Sequence, residues 1–250
     1  MALFRSIVFN LVLWLSVVIY APLMLPTALL PFPARYRIIR QWARFQVFLL
    51  KVMCGLDYRV EGREHLPAGA AIIMSKHQSA WETIVFQEIF PAQTWVLKRE
   101  LMWIPLFGWA LALLRPIAID RGAGRKAIEQ VIAQGRERLQ SGIWVVVFPE
   151  GTRVAPGTRR RYGVGGAVLA AETGYPVVPV AHNAGSFWPR RGFLKRPGTI
   201  RVVIGPAIDP RGKKAEEILR RTEEWIEGTM ADLERRQVGN PPAKTGDVSA

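Results

Sequence analysis

The 250-residue chain carries 34 Lys and Arg against 20 Asp and Glu, a formal charge of +14, in a sequence that is 50% hydrophobic with 9 Trp and 11 Phe. That apolar content excludes a disordered basic tail, because low hydrophobicity is what keeps chains unfolded. The single cysteine, Cys54, excludes an intrachain disulfide, so the folded part needs no oxidising compartment. The charge points to anionic partners: nucleic acid, an acidic membrane surface or a phosphate-bearing substrate.

The N-terminal stretch narrows the choice. Residues 1–56 contain Arg5, Arg35, Arg37, Arg40, Arg44 and Lys51 and no acid, interleaved with the most apolar sequence in the chain. Ile7 to Leu30 carries no charge, and as one helix of about 36 Å it would cross a bilayer core. Broken at Pro22, the piece from Ile7 to Ala21 would be about 22 Å long and would dip into one leaflet. Both readings stay open on the sequence. A cleaved signal peptide fits less well, because the basic n-region is one Arg and no clear small-x-small site follows. Residues 36–52 read as a second helix with Arg37, Arg40, Arg44 and Lys51 on one stripe. This suits a basic interfacial helix, although a core helix with a solvated basic face gives the same pattern. The Arg excess after the first segment predicts that this side faces the cytoplasm. Residues 1–55 are therefore read as membrane-anchoring helices, with the rest of the chain at the cytoplasmic face of the inner (plasma) membrane.

After Gly55 short apolar runs alternate with helical patterns. Strands are predicted at 70–74, 94–97, 117–119, 143–148, 176–181 and 200–204, and helices near 80–90, 102–114, 124–141 and 164–173. Strands apolar on both faces and separated by helices imply an α/β fold, a mixed sheet covered by helices on both faces. Such sheets hold ligands at the carboxyl ends of their strands. A last helix is predicted from about Lys213 to Arg236, closing a single domain over 56–237, and 238–250 lacks any apolar period and reads as a loose tail.

Two strand ends carry chemistry. The first is followed by Ser75-Lys76-His77-Gln78-Ser79-Ala80-Trp81-Glu82. A carboxylate five residues after the histidine can hold the imidazole in one tautomer while its other nitrogen takes a proton. Ser79-x-x-Glu82 is equally a capping box, in which Glu82 only closes the helix N-terminus. The second end, Phe148-Pro149-Glu150-Gly151-Thr152-Arg153, offers backbone N–H groups, a hydroxyl and a guanidinium suited to a phosphate monoester. Arg159, Arg160 and Arg161 follow in the same loop. Nothing has metal-ligand spacing: the histidines are His65, His77 and His182, with no Cys pair. No nucleic-acid recognition motif is present either, and the apolar N-terminus argues against that partner. The loop 186–196 mixes Phe187, Trp188 and Phe193 with Arg190, Arg191, Lys195 and Arg196. It reads either as a further membrane or carrier contact or as a solvated loop.

These residues resemble the glycerolipid acyltransferases. His77 to Glu82 is similar to that family's His-x4-Asp signature, and Phe148 to Arg153 matches its glycerophosphate-binding motif completely. Lys98-Arg99-Glu100-Leu101 with Ile104-Pro105 and Phe107-Gly108, then Ile119-Asp120-Arg121, resembles the intervening motif, and Val177 to Val180 the last. The resemblance covers roughly 56–210. Chain length and the basic apolar N-terminus fit best with bacterial members that acylate lysophosphatidate to phosphatidate; a member using another lyso-lipid acceptor, and a non-catalytic membrane protein that binds lipid phosphates, stay open on the sequence. It implies His77 as general base on a glycerol hydroxyl, Glu82 orienting it, and Arg153 holding the phosphate with Lys98, Arg121 and the Gly151-Thr152 backbone. Glu150 would position the glycerol moiety or Arg153. No cofactor is implied; the co-substrate is acyl-coenzyme A or an acyl carrier protein, and the partners are membrane lipids and lysophosphatidate. Two departures stand out: Glu82 where the family usually has Asp, and Gly165-Gly166-Ala167 where it has Lys-Gly-Ala, with Arg159 to Arg161 as the bases nearest to replace that Lys.

Overall fold

The computed structural model describes residues 1–238, except for the side chains of Arg121, Gln237 and Val238. The expected tail therefore lies outside the described residues, as does the Arg121 side chain. Helix α1 covers Ala2–Met24 and runs through Pro22 rather than breaking there. Proline this close to the end removes a single backbone hydrogen bond, and the chain turns only at Leu25–Leu29, which contains Pro26. Helix α2, Phe32–Cys54, returns antiparallel and ends at Gly55 in the left-handed conformation. Its buried residues, among them Tyr36, Ile39, Ala43, Gln46 and Leu50, recur every three or four positions and face the protein. The apolar residues Ile38, Phe45, Phe48 and Val52 form a separate, exposed stripe beside Arg37, Arg44 and Lys51.

The sheet elements follow: β1 Leu56–Glu61, β2 Ile72–Ser75, α3 Trp81–Ile89, β3 Gln93–Lys98, α4 Phe107–Ala112, β4 Ile117–Ile119, α5 Arg125–Gln140 and β5 Trp144–Val147. Beyond them lie α6 Gly165–Thr173, β6 Val177–His182, α7 Ala184–Phe187, β7 Gly198–Ile204 and α8 Ala215–Val238. The seven strands are ordered β1-β7-β6-β2-β5-β3-β4. Only β6 and β7 pair antiparallel; the other pairs are parallel, as crossover helices require. The mixed sheet expected from the sequence is thus present. Ile73, Val146, Val178 and Val180 pack with α2 and α3 on one face. Ile72, Met74, Val145 and Val147 pack with α5 and α6 on the other. Phe9 of α1 and Phe32, Tyr36 and Leu50 of α2 belong to the first of these cores, so the N-terminal helices and the sheet share one apolar interior.

Candidate active site

Both motif loops leave the sheet side by side. β2 and β5 are parallel neighbours with Met74 opposite Val147, so the same step beyond each strand brings His77 beside Glu150. The His77 N–H donates to Glu150 Oε2 at 3.0 Å, and the Val154 N–H donates to the His77 carbonyl at 2.8 Å. The loop can fold back in this way because Gly151 takes φ 68°, which glycine reaches without steric cost. Phe148 lays its ring on the imidazole, with centroids 3.9 Å apart and planes inclined by 13°. His77 is thus held by a carboxylate at its N–H, by backbone at its carbonyl and by a ring on its face.

Glu82 makes the contacts that both sequence readings require, one to the histidine and one to the helix N-terminus. Its Oε1 lies 2.8 Å from His77 Nδ1 and accepts the N–H groups of Gln78 and Ser79, also at 2.8 Å. The bond from Ser79 N–H is the return half of a capping box, while the Ser79 hydroxyl accepts from the Trp81 N–H at 3.1 Å. Glu82 is fully buried. Burial alone would push its carboxyl up, but the imidazoles of His182 and His77 and the Ser79 N–H outweigh it and hold the group below the ordinary carboxylate value. An ionised Glu82 fixes the proton on Nδ1 and leaves Nε2 of His77 as the basic nitrogen. His182, also fully buried, has its own affinity for protons lowered by burial and donates from Nε2 to the Lys76 carbonyl at 2.9 Å. It braces the loop from beneath.

His77 lines a cavity of about 490 Å³ together with Arg153 and Lys98. The remaining wall is mainly apolar and comes largely from α1, α2, α3, β3 and α4, with Leu13, Ile39, Ile84, Trp95, Leu111 and Leu114 among its residues. Its size lies within the ~300–1,000 Å³ typical of small-molecule sites. An imidazole and a guanidinium in the wall of a mainly apolar cavity suit a ligand with a polar, anionic head and a hydrocarbon chain. The Acyltransferase family profile matches residues 57–183. The chain is also 45% identical over 244 residues to the 1-acyl-sn-glycerol-3-phosphate acyltransferase of Pseudomonas aeruginosa, covering 95% of each. The chain belongs to the acyltransferase family. The 1-acyl-sn-glycerol-3-phosphate acyltransferase of Saccharomyces cerevisiae is 30% identical over 178 residues, 67% of this chain and 58% of that one. The crystal structure of the 1-acyl-sn-glycerophosphate (LPA) acyltransferase PlsC from Thermotoga maritima shares the fold, with a TM-score of 0.78 and 24% identity over 93% of this chain and 96% of that one.

Other expected site residues of this acyltransferase are placed differently. Lys98 reaches the cavity edge, half exposed and paired with Glu100 at 2.9 Å. Gly151 and Thr152 sit half-buried in the turn before Arg153. Glu150 corrects the sequence reading. Its carboxylate is buried and taken up by the His77 N–H and by Lys76 Nζ at 2.7 Å, rather than facing the glycerol or Arg153. Burial raises the Glu150 carboxyl above its ordinary value, and the bonds from Lys76 and the His77 N–H only partly offset it. Arg159 and Arg161 do not join Arg153: both line a separate cavity against α8, and Arg159 pairs with Glu227 at 3.2 Å.

Sequence reasoning missed the group beneath the loop. Lys76 is buried between Glu150 and Glu227, 2.9 Å from the latter, and Tyr162 donates its hydroxyl to Glu227 at 2.8 Å. α8 thereby supports the residue that precedes His77. The available signal was an acid, Glu227, set between Ile226 and Met230 on the apolar face of the last helix.

Proposed function

We propose that this acyltransferase moves a fatty acyl group from an acyl thioester to the sn-2 hydroxyl of lysophosphatidate, giving phosphatidate. The observation that carries the reading is the His77–Glu82 pair at the edge of an apolar cavity whose rim also holds Arg153. His77 Nε2 takes the proton of the acceptor hydroxyl as its oxygen attacks the thioester carbonyl. The tetrahedral intermediate collapses, the C–S bond breaks, and the imidazolium returns the proton to the leaving thiolate. Glu82 stabilises the imidazolium and Arg153 holds the phosphate. General-base help of this kind contributes about 100- to 10,000-fold, and positioning of the two substrates supplies the rest. The apolar cavity takes an acyl chain, and acyl-coenzyme A and acyl carrier protein both present the required thioester.

Attachment in one leaflet accords with the contacts of α1. Helix α1 is apolar enough to cross a membrane, yet it is bonded to the protein along most of its length. The Ser6 hydroxyl accepts the Lys195 N–H at 2.9 Å, Ser16 accepts from Trp42 and Gln46, and Tyr20 donates to the Ile38 carbonyl at 2.8 Å. A crossing helix would draw these partners into the bilayer with it. The Arg-rich flank of α1 supports the cytoplasmic face.

The test is acyl transfer to lysophosphatidate from both donors, using membranes that contain the wild type or His77→Ala. Phosphatidate that disappears in His77→Ala, and a raised KM for the phosphorylated acceptor in Arg153→Ala, are the expected results. No product with either donor, from protein that is folded and membrane-bound, refutes the assignment.

A further inference from the structure

Between β3 and β4 the chain leaves the sheet edge as a helical turn, Arg99–Trp103, followed by α4. Gly108 locks the two pieces together: its N–H donates to the Ile104 carbonyl at 2.7 Å, and a Cβ there would lie 2.2 Å from the Met102 carbonyl oxygen. Between them Leu106 takes φ 62° and ψ −55° with the Phe107 N–H donating to the Pro105 carbonyl at 2.7 Å, a strained γ-turn that a leucine keeps only where its surroundings over-determine it. The product is a stiff flap with two apolar sides. Its inner side, Phe107, Ala110 and Leu111, lines the cavity that holds His77. Its outer side holds Trp103, Ile104 and Trp109 in solvent, 67%, 44% and 52% exposed. Large apolar groups clustered on a constrained outer surface mark a contact face.

Two features identify what covers it. The first is continuity with the membrane-facing surface of α1. Helix α1 packs on α4, and its outward residues Leu11, Leu15, Val18 and Ile19 are all more than half exposed. Trp14 of α1 and Leu101 of the turn Arg99–Trp103 both line the cavity and are also open to solvent. The second is composition. Trp103 stands with Arg99, whose guanidinium lies 5.9 Å from its ring, and Lys98 precedes them in the chain. Indole beside cationic groups suits the boundary between lipid headgroups and acyl chains.

We propose that the flap is a second bilayer-contacting element. Trp103, Ile104 and Trp109 enter the interfacial region of the leaflet that receives α1, and the cavity opens into that leaflet between Trp14 and Leu101. The proposal rests on membrane attachment through α1 and is independent of the acyl acceptor.

The experiment locates the flap directly. In full-length protein carrying Cys54→Ala, an environment-sensitive fluorophore is attached through Trp103→Cys or Trp109→Cys, with Leu11→Cys on α1 and Arg125→Cys on α5 as references. Each variant is bound to phosphatidylethanolamine–phosphatidylglycerol vesicles containing a quencher-bearing phospholipid. The labels at 103 and 109 should shift to the blue and be quenched about as strongly as the label at 11, and several-fold more than the label at 125. In unlabelled wild type, amide exchange across 101–109 should slow on vesicles, which guards against a labelled variant that folds poorly. Labels at 103 and 109 that behave like the label at 125, while the label at 11 is quenched, overturn the proposal and leave attachment through α1 standing. Self-quenching between labels at 103 without lipid quenching assigns the flap to a second copy and also overturns it. An unquenched label at 11 removes the attachment on which the proposal rests.

Discussion

Replacing Glu82 by glutamine separates the two duties of one oxygen atom. Glu82 Oε1 accepts from His77 Nδ1 and from two backbone N–H groups, each at 2.8 Å, and Oε2 has no partner among the described residues. The amide oxygen of glutamine can take the place of Oε1 and keep all three bonds, with its NH2 in the place of Oε2. What disappears is the negative charge. At an effective dielectric of about 20, unit charges 2.8 Å apart attract by roughly 6 kcal/mol. An imidazolium half-developed in the transition state would draw on about 3 kcal/mol of this, on the order of a hundredfold in rate. Glu82→Gln should therefore lower kcat by about two orders of magnitude with KM for the acceptor nearly unchanged. Glu82→Ala should instead leave buried donors unpaired at about 1–3 kcal/mol each, a large share of the ~5–15 kcal/mol stability of a typical domain. Steady-state transfer assays, with thermal unfolding of each variant in detergent, test both. A Glu82→Gln enzyme with wild-type kcat, alongside an unstable Glu82→Ala, would mean that Glu82 is only a helix cap.

Lys76→Met leaves Glu150 and Glu227 buried without their shared cation and should cost about 3–5 kcal/mol. Denaturant unfolding should show the loss, with partial recovery when Glu227→Gln is added. Gly108→Ala must push a methyl group against the Met102 carbonyl, and a thermal scan should register about 1–3 kcal/mol of destabilisation. Lys195 is buried against the rings of Trp188 and Phe9, and burial lowers its pKa from 10.5 to about 8. Between those values the unfolded amine binds a proton that the folded one lacks, so its contribution to stability rises with pH across this window. The wild type should accordingly gain stability relative to Lys195→Met as the pH is raised from about 8 towards 10.5, and parallel curves would contradict the assignment.

The central strands were legible because β2, β5 and β6 are buried on both faces and read as unbroken apolar runs. β1 was not. Its Leu56-Asp57-Tyr58-Arg59-Val60-Glu61 alternates charge with apolar residues, as suits an edge strand with β7 on one side only. Pro105 accounts for the short α4: the helix predicted over 102–114 begins only at Phe107, after a separate turn. His77 and Arg153 could be read because each lies within a short motif at a strand end. The Lys76–Glu227 contact could not, because it joins residues 151 positions apart, and no local pattern encodes which helix a buried lysine will meet. Capping box and orienting carboxylate looked like competing readings of Glu82, since residue spacing does not reveal that a single oxygen has three donors within reach.

The pairing of β1 with β7 also bears on how the enzyme is made. β1 follows directly on the two N-terminal helices, but its partner strand lies about 140 residues further along the chain. At ~5–20 residues per second that partner emerges from the ribosome on the order of ten seconds later. Throughout this interval α1 is already free to meet a membrane, while β1 has no strand beside it. Synthesis thus gives α1 an interval to find an apolar surface before the sheet can close.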